Sequence, residues 1–215
     1  MKIEIWSDIM CPFCYIGKRH LEKAIEQLQP DVQFEIEWKS FQLDPTIPAQ
    51  TKRTNVFEYL SESKGISLER SIQMHEQVQD MAVKAGLTYH FEKAVVGNSF
   101  LAHRFIQLAK TKGLGDDMEE ALFKAYFTDG KDIASASDLL MIGSSIGLIK
   151  EEMEELLQSD LFADAVNSDI EEAAQIGVRG VPFFVFDRKY ALSGAQPVNA
   201  FIETILATQE NSEKL

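Results

Sequence analysis

Two cysteines three residues apart, in the run Cys11-Pro12-Phe13-Cys14, lie directly behind a strand-like stretch, Lys2-Ile3-Glu4-Ile5-Trp6. The segment that follows, Tyr15 to Gln29, places Ile16, His20, Leu21, Ala24, Ile25 and Leu28 at spacings of three and four, the pattern of an amphipathic helix. The pair therefore opens a helix. Free backbone N–H groups and the dipole at that end favour an anionic sulfur, and the three-residue spacing lets two sulfurs come within disulfide reach. A thiolate with a partner thiol beside it is the equipment of thiol–disulfide exchange.

The chain has no other cysteine, which weighs against the alternatives. A structural zinc site needs four ligands, and His20, His75, His90 and His103 form neither a second C-x-x-C nor an H-x₃-H cluster. Two inert core thiols are the other bland reading, since free cysteine packs well as a small apolar group.

A net charge of −13 disfavours nucleic acid and anionic membrane surfaces as partners. Apolar runs fall short of the roughly 18–20 residues of a membrane span. Glu4 and Asp8 interrupt what would be the apolar core of a secretion signal, so the expected location is cytoplasmic. There most thiols are kept reduced, and a lone pair of cysteines reads as catalytic more readily than as a staple. The run Glu151, Glu152, Glu154 and Glu155 reads as the solvated start of a helix near Lys150, where acids complement the dipole.

Along the chain the patterns predict strand 2–7, helix 13–29, a break at Pro30-Asp31, and an alternating strand from Val32 to Gln42 with Val32, Phe34, Ile36 and Trp38 on one face. A strand–helix–strand crossover implies parallel pairing. From about Asn55 to Ser159 the reading is almost wholly helical, with segments near 54–63, 67–85, 99–112, 116–128, 135–147 and 150–158. Gly65, Gly86, Gly113, Gly130 and Gly147 act as stops. Asp116 with Glu119 reads as a capping box, whereas Ser67 with Arg70 does not. A helix near 160–176, ending at Gly177, precedes the apolar run Val181 to Phe186, expected to be a strand buried on both faces. Tyr190 to Leu192 reads as its hairpin partner. A helix from Pro197 to Thr208 follows, and Gln209 to Leu215 reads as a frayed end. The fold class is α/β: a thioredoxin fold interrupted by a large all-helical insertion. Residues 1–45 and 165–215 are expected to form the thioredoxin-like domain and 46–164 the insertion.

Four segments, in this order, carry a family resemblance: Ser7 to Lys18, Asn98 to Arg104, Gly177 to Val185, and Leu192 to Pro197. Together they resemble the DsbA-like disulfide oxidoreductases of the FrnE group over nearly the whole chain. The resemblance implies disulfide oxidoreductase or isomerase activity on protein, peptide or small-thiol disulfides, with a cellular thiol as reductant. It makes Cys11 the attacking cysteine and Cys14 the resolving one. It makes Val181-Pro182 a cis-proline dipeptide facing the pair, whose backbone receives an extended substrate. Pro12 and Phe13 join Val181 and Pro182 as substrate-contacting residues, and Asn98 and His103 are further candidates. No bound cofactor is implied, although glutathione fits as a thiol co-substrate. Monomer and homodimer both remain open.

Many relatives carry tryptophan where this chain has Phe13, whose ring supplies no donor to Cys11. The same fold serves kappa-class glutathione transferases and 2-hydroxychromene-2-carboxylate isomerases, which carry serine in place of Cys11 and lack the second thiol. A glutathione-dependent transferase or isomerase is therefore the second reading. A holdase-like chaperone without turnover is the third. Among secondary features, Asn98 reads as a helix cap and Trp6 and Trp38 as core aromatics on neighbouring strands. Lys18 reads as a thiolate neighbour or a solvated cation, and Met74 with Met81 as core.

Overall fold

The structure, a computed structural model, describes residues 1–28, 33–49 and 53–210. Two compact units emerge: Met1–Leu43 with Asn167–Leu215, and Asp44–Val166.

The first unit is built on strand β1 (Lys2–Ser7), helix α1 (Pro12–Leu28) and strand β2 (Glu35–Ser40). β1 and β2 pair in parallel, Ile5 opposite Trp38, as their helical connection requires. The break at Pro30-Asp31 and the start of the alternation at Val32 lie outside the described residues. Late in the chain come β5 (Phe183–Phe186) and β6 (Tyr190–Ser193), antiparallel to each other, with β5 antiparallel to β1. The sheet order is β2-β1-β5-β6. Burial of Phe184, Val185 and Phe186 follows from β5 lying inside the sheet.

Alternation along β1 assigns its two faces. Ile3 and Ile5 face the side on which Phe184 meets Phe201 of helix α9 (Val198–Glu210) edge-on at 4.8 Å. On the other face Trp6 packs with Ala173, Val178 and Val185. There its indole N–H donates to the carbonyl of Asp169 at 2.9 Å. Asp169 and Ala173 belong to helix α8 (Ala163–Gln175). Of the end expected to fray, Gln209 and Glu210 close α9, and the remainder lies outside the described residues.

Charge is buried on that second face. Glu4 is 2% exposed and pairs with Arg188, which also reaches Glu172 at 2.7 Å. Lys39 stands 3.2 Å from each of Glu37, Asp169 and Glu172. Burial opposes the Lys39 charge, but the carboxylates of Asp169, Glu37 and Glu172 outweigh it and hold the ammonium's pKa above its ordinary value.

The second unit holds helices α2 (Val56–Lys64), α3 (Leu68–Ala85), α4 (Phe100–Lys110), α5 (Gly115–Phe127), α6 (Ala136–Ser145) and α7 (Lys150–Leu157). α2 and α3 end at Gly65 and Gly86 in the left-handed conformation, whose N–H groups close the final turns. The helical block also carries a small ribbon: β3 (Thr54–Asn55) pairs antiparallel with β4 (Val95–Val96). Two-residue strands have no periodicity to read, and Asn55 accordingly falls outside the helix predicted from 54. It caps α2 by accepting from the Phe57 N–H at 2.9 Å, and its amide donates to three carbonyls of the 91–94 turn.

Other differences are local. α5 begins at Gly115 with no side-chain cap, so Asp116 lies inside the first turn and the predicted capping box with Glu119 does not form. Ser67 does cap α3, accepting from the Arg70 N–H at 3.1 Å, without the reciprocal half of a box. Met74 and Met81 are 37% and 41% exposed. Their heptad spacing marks a face of α3 that points outward. Trp6 and Trp38 are buried on neighbouring strands, as read.

Candidate active site

At the end of β1 the chain turns through Asp8-Ile9-Met10, with the Cys11 N–H donating to the Asp8 carbonyl at 2.9 Å. α1 starts at Pro12. Proline suits a first helical position, where an N–H would have no intrahelical partner, and its ring presets the helical φ. Cys11 is thereby the residue flanking the helix start and Cys14 the third residue inside it. Asp8 holds the turn. Its carboxylate accepts from the N–H of Met10 at 3.3 Å and from that of Leu43 at 2.7 Å.

The Val181–Pro182 peptide is cis, and the Val181 carbonyl accepts from the Cys11 thiol at 3.3 Å. Gly17 makes this approach possible. A Cβ there would sit 3.1 Å from the Pro182 ring and 3.0 Å from the Phe184 ring. Cys11, Pro12, Phe13, Cys14, Val181 and Pro182 thus form one constellation within the first unit.

Both cysteines are free thiols. Cys11 is 3% exposed and Cys14 1%, so the helix-start position does not leave Cys11 bare. Its side chain turns onto the Val181 peptide, and Phe13, at 37%, is the exposed member of the motif. Burial pushes the Cys14 thiol well above its ordinary pKa, and its hydrogen bond to Cys11 adds to the effect. The backbone N–H of Asp8 and the Ser7 hydroxyl pull the other way. At neutral pH Cys14 is therefore a protonated thiol lying against the Cys11 sulfur.

Lys18 is buried and paired with Glu22 at 2.5 Å, so it is not a solvated cation. Asn98 and His103 belong to the second unit. Asn98 accepts from the Phe100 N–H at 2.9 Å, starting α4, and donates to the Ile47 carbonyl at 2.6 Å. His103 is 1% exposed in α4. Arg104, the last residue of the same motif, donates to the carbonyls of Leu156, Ser159 and Leu161 at 2.5–2.8 Å around the end of α7. Sequence reasoning missed Ser7 and Asp8 as neighbours of Cys14. Their signals were position, at the end of the strand that leads into the pair, and membership of the Ser7 to Lys18 segment that carries the family resemblance.

Among the described residues no helix is long and apolar enough to cross a membrane. The protein YwbO of Bacillus subtilis (strain 168), itself uncharacterised, is 27% identical over 186 residues, covering 85% of each chain. The crystal structure of a probable DsbA oxidoreductase from Streptomyces coelicolor superposes with a TM-score of 0.93 at 34% identity, over 98% of this chain and 90% of that one. The solved structure of the cytosolic disulfide reductase DsbM from Pseudomonas aeruginosa with GSH has a TM-score of 0.65 at 17% identity, over 96% of this chain and all of its own, a likeness of fold. A family model described as a DSBA-like thioredoxin domain matches residues 2–206. With the match running through both units and the cysteine turn, the chain belongs to the DsbA-like thioredoxin-domain family.

Proposed function

We propose that this protein is a thiol–disulfide oxidoreductase in which Cys11 attacks and Cys14 resolves, acting on protein, peptide or small-thiol disulfides. The observation that carries the reading is the seating of the Cys11 thiol, at a helix start, on the carbonyl of the Val181–Pro182 peptide. The Cys11 thiolate displaces one sulfur of a substrate disulfide, forming a mixed disulfide and releasing the first thiolate, which takes a proton. Cys14 then attacks the Cys11 sulfur, closes the Cys11–Cys14 bridge and releases the second substrate thiol. Two electrons pass to the substrate. Two molecules of a cellular thiol such as glutathione return them, forming the corresponding disulfide.

The poise we assign is that of a reductase or isomerase, in a band of roughly −180 to −270 mV. Pro12 and Phe13 bring no donor or positive charge to the Cys11 sulfur, which leaves the helix start and the hydrogen bond from Cys14 to favour its thiolate. The assignment includes a cytoplasmic setting, with both cysteines committed to exchange and none to structural bridges.

The test is trapping. Cys14→Ser is expected to accumulate mixed disulfides with substrate, and Cys11→Ser to form none. Trapping by the Cys11 variant alone would reverse the roles. A glutathione-dependent activity that survives Cys14→Ser would replace this reading with that of a transferase or isomerase. Equilibration with glutathione buffers checks the poise, and a potential near −120 mV, that of a strong oxidant, would overturn it.

A further inference from the structure

Leucines are often partly exposed, and one such side chain alone needs no explanation. Leu43 differs by its place: it is 46% exposed and stands beside the reactive turn. β1 and β2 run in register as far as Ser7 opposite Ser40, and the Phe41 N–H continues the pairing by donating to the Ser7 carbonyl at 3.0 Å. Leu43 then donates its own N–H to the Asp8 carboxylate at 2.7 Å. That carboxylate also takes the Met10 N–H at 3.3 Å, and the Asp8 carbonyl takes that of Cys11 at 2.9 Å. Asp8 is wholly buried, so one residue fastens Leu43 and Cys11 to the same turn.

The sheet order β2-β1-β5 fixes what lies on either side. Trp6 pairs with Phe183 on the β5 flank, so Val181 lies beyond one side of the turn and Leu43 beyond the other. Phe13, 37% exposed, adds an apolar ring at the start of α1. A disulfide attacked at Cys11 must bring the residues on both sides of its own cysteine over this turn. Partial burial of an apolar side chain against Leu43 favours binding, whereas a polar one loses water there without gaining a hydrogen bond. We propose that Leu43 is a specificity-determining residue that contacts the residue flanking the substrate cysteine and selects for apolar ones. The inference rests on the exchange reading above and deepens it, naming as substrate class the disulfides of polypeptides with apolar residues beside the cysteine. The net charge of −13 further disfavours acidic flanks.

The experiment compares two substrates on one protein. Reduced protein is mixed, in single turnover, with either of two peptide disulfides, identical except that leucine or serine stands on both sides of each cysteine. One protein dithiol and one peptide disulfide yield the Cys11–Cys14 disulfide and two peptide thiols, which are measured after acid quench. The readout is the ratio of the two second-order rate constants, so a general loss of fold or of thiol reactivity cancels. The unaltered protein is expected to prefer the leucine peptide about tenfold, the order that partial burial of one leucine side chain contributes. Leu43→Ser, which keeps the N–H that Asp8 holds, should bring the preference to about threefold or below. Leu43→Met, which keeps an apolar side chain of similar size, should retain it. A preference as large in Leu43→Ser as in the unaltered protein would overturn the proposal, as would equal rates for the two peptides with the unaltered protein. Failure of the unaltered protein to reduce either peptide would refute the exchange reading, and this inference with it.

Discussion

The Cys11 thiol rests on the Val181 carbonyl at 3.3 Å, joining the start of α1 to the turn that leads into β5 across 170 residues of chain. That contact is set by a third residue. Gly17, one turn beyond Cys14 on α1, has no side chain to hold the Pro182 ring away.

Gly17→Ala therefore tests how the pair is seated. Inside a helix the alanine gains about 0.5–1 kcal/mol in backbone terms. Its methyl would meet Pro182 and Phe184 at 3.1 and 3.0 Å, and overpacking of that kind costs about 1–3 kcal/mol. The clash wins. The expected outcome is net destabilisation of about 1 kcal/mol by urea unfolding, together with slower attack by Cys11. A stabilised variant with unaltered exchange would show that the Pro182 turn moves aside freely.

The hairpin between β5 and β6 offers a second test. Asp187 and Arg188 both have positive φ, 46° and 57°, which gives the turn the twist its strands require. Arg188 tolerates that conformation while pairing with Glu4 and Glu172, and the Glu4 hydrogen bond raises its already high pKa. Loss of the partner of a buried charge costs about 3–5 kcal/mol. Arg188 is itself 49% exposed, so water replaces part of what is lost, and Arg188→Ala should cost roughly 2 kcal/mol. Arg188→Gly loses the same pairs but relieves the backbone by about 1 kcal/mol. The expected order in urea melts is the unaltered chain, then glycine, then alanine. A glycine variant less stable than the alanine one would contradict it.

Acid should weaken the second unit through His75. Its ring lies edge-on to Phe57 and Phe91 at 5.0 and 4.8 Å, and its Nδ1 meets the Ser71 carbonyl at 2.8 Å. Burial lowers its pKa, only partly offset by that carbonyl. A histidine with a depressed folded-state pKa binds its proton more readily when unfolded. Its contribution is complete above the ordinary value near 6.5 and is lost as pH falls from there toward the lowered native value. Asp44, lowered by the Thr46 and Tyr59 hydroxyls, acts in the same direction but below the ordinary carboxylate range. Melting temperatures between pH 7.5 and 5 should drop for the unaltered protein and stay flatter for His75→Phe. Parallel profiles would rule His75 out as the cause.

Arg104 predicts a stability effect with a geometric signature. Its guanidinium donates to three backbone carbonyls at and beyond the end of α7, a place where helix carbonyls lack the partners of the helix interior. Arg104→Ala should cost roughly 3 kcal/mol. Arg104→Lys should recover less than half, since a point charge cannot reproduce the planar fork. Full rescue by lysine, read by urea unfolding, would mean that charge alone matters.

Much of this architecture was legible in local pattern. The limits of β1, the helix opened by the cysteines, the parallel β1–β2 pairing and most helices of the 54–158 stretch follow from periodicity and from residues such as Gly65 and Gly86, whose backbone freedom ends a helix. These signals act over one or two turns of chain, and the sequence holds them complete. Tertiary structure decided whatever depends on partners distant in sequence. The β3–β4 ribbon pairs residues about forty apart. Glu4 finds Arg188 across 184 residues, Met74 and Met81 face outward, and Cys11, though at a helix start, is covered by the fold. Ser7 and Asp8 open the segment that carries the resemblance, yet only the fold shows that their polar groups lower the pKa of Cys14 against its burial. A residue's local preferences are written in its neighbours along the chain. The desolvation of a thiol, a carboxylate or a thioether depends on which surfaces the whole fold brings against it.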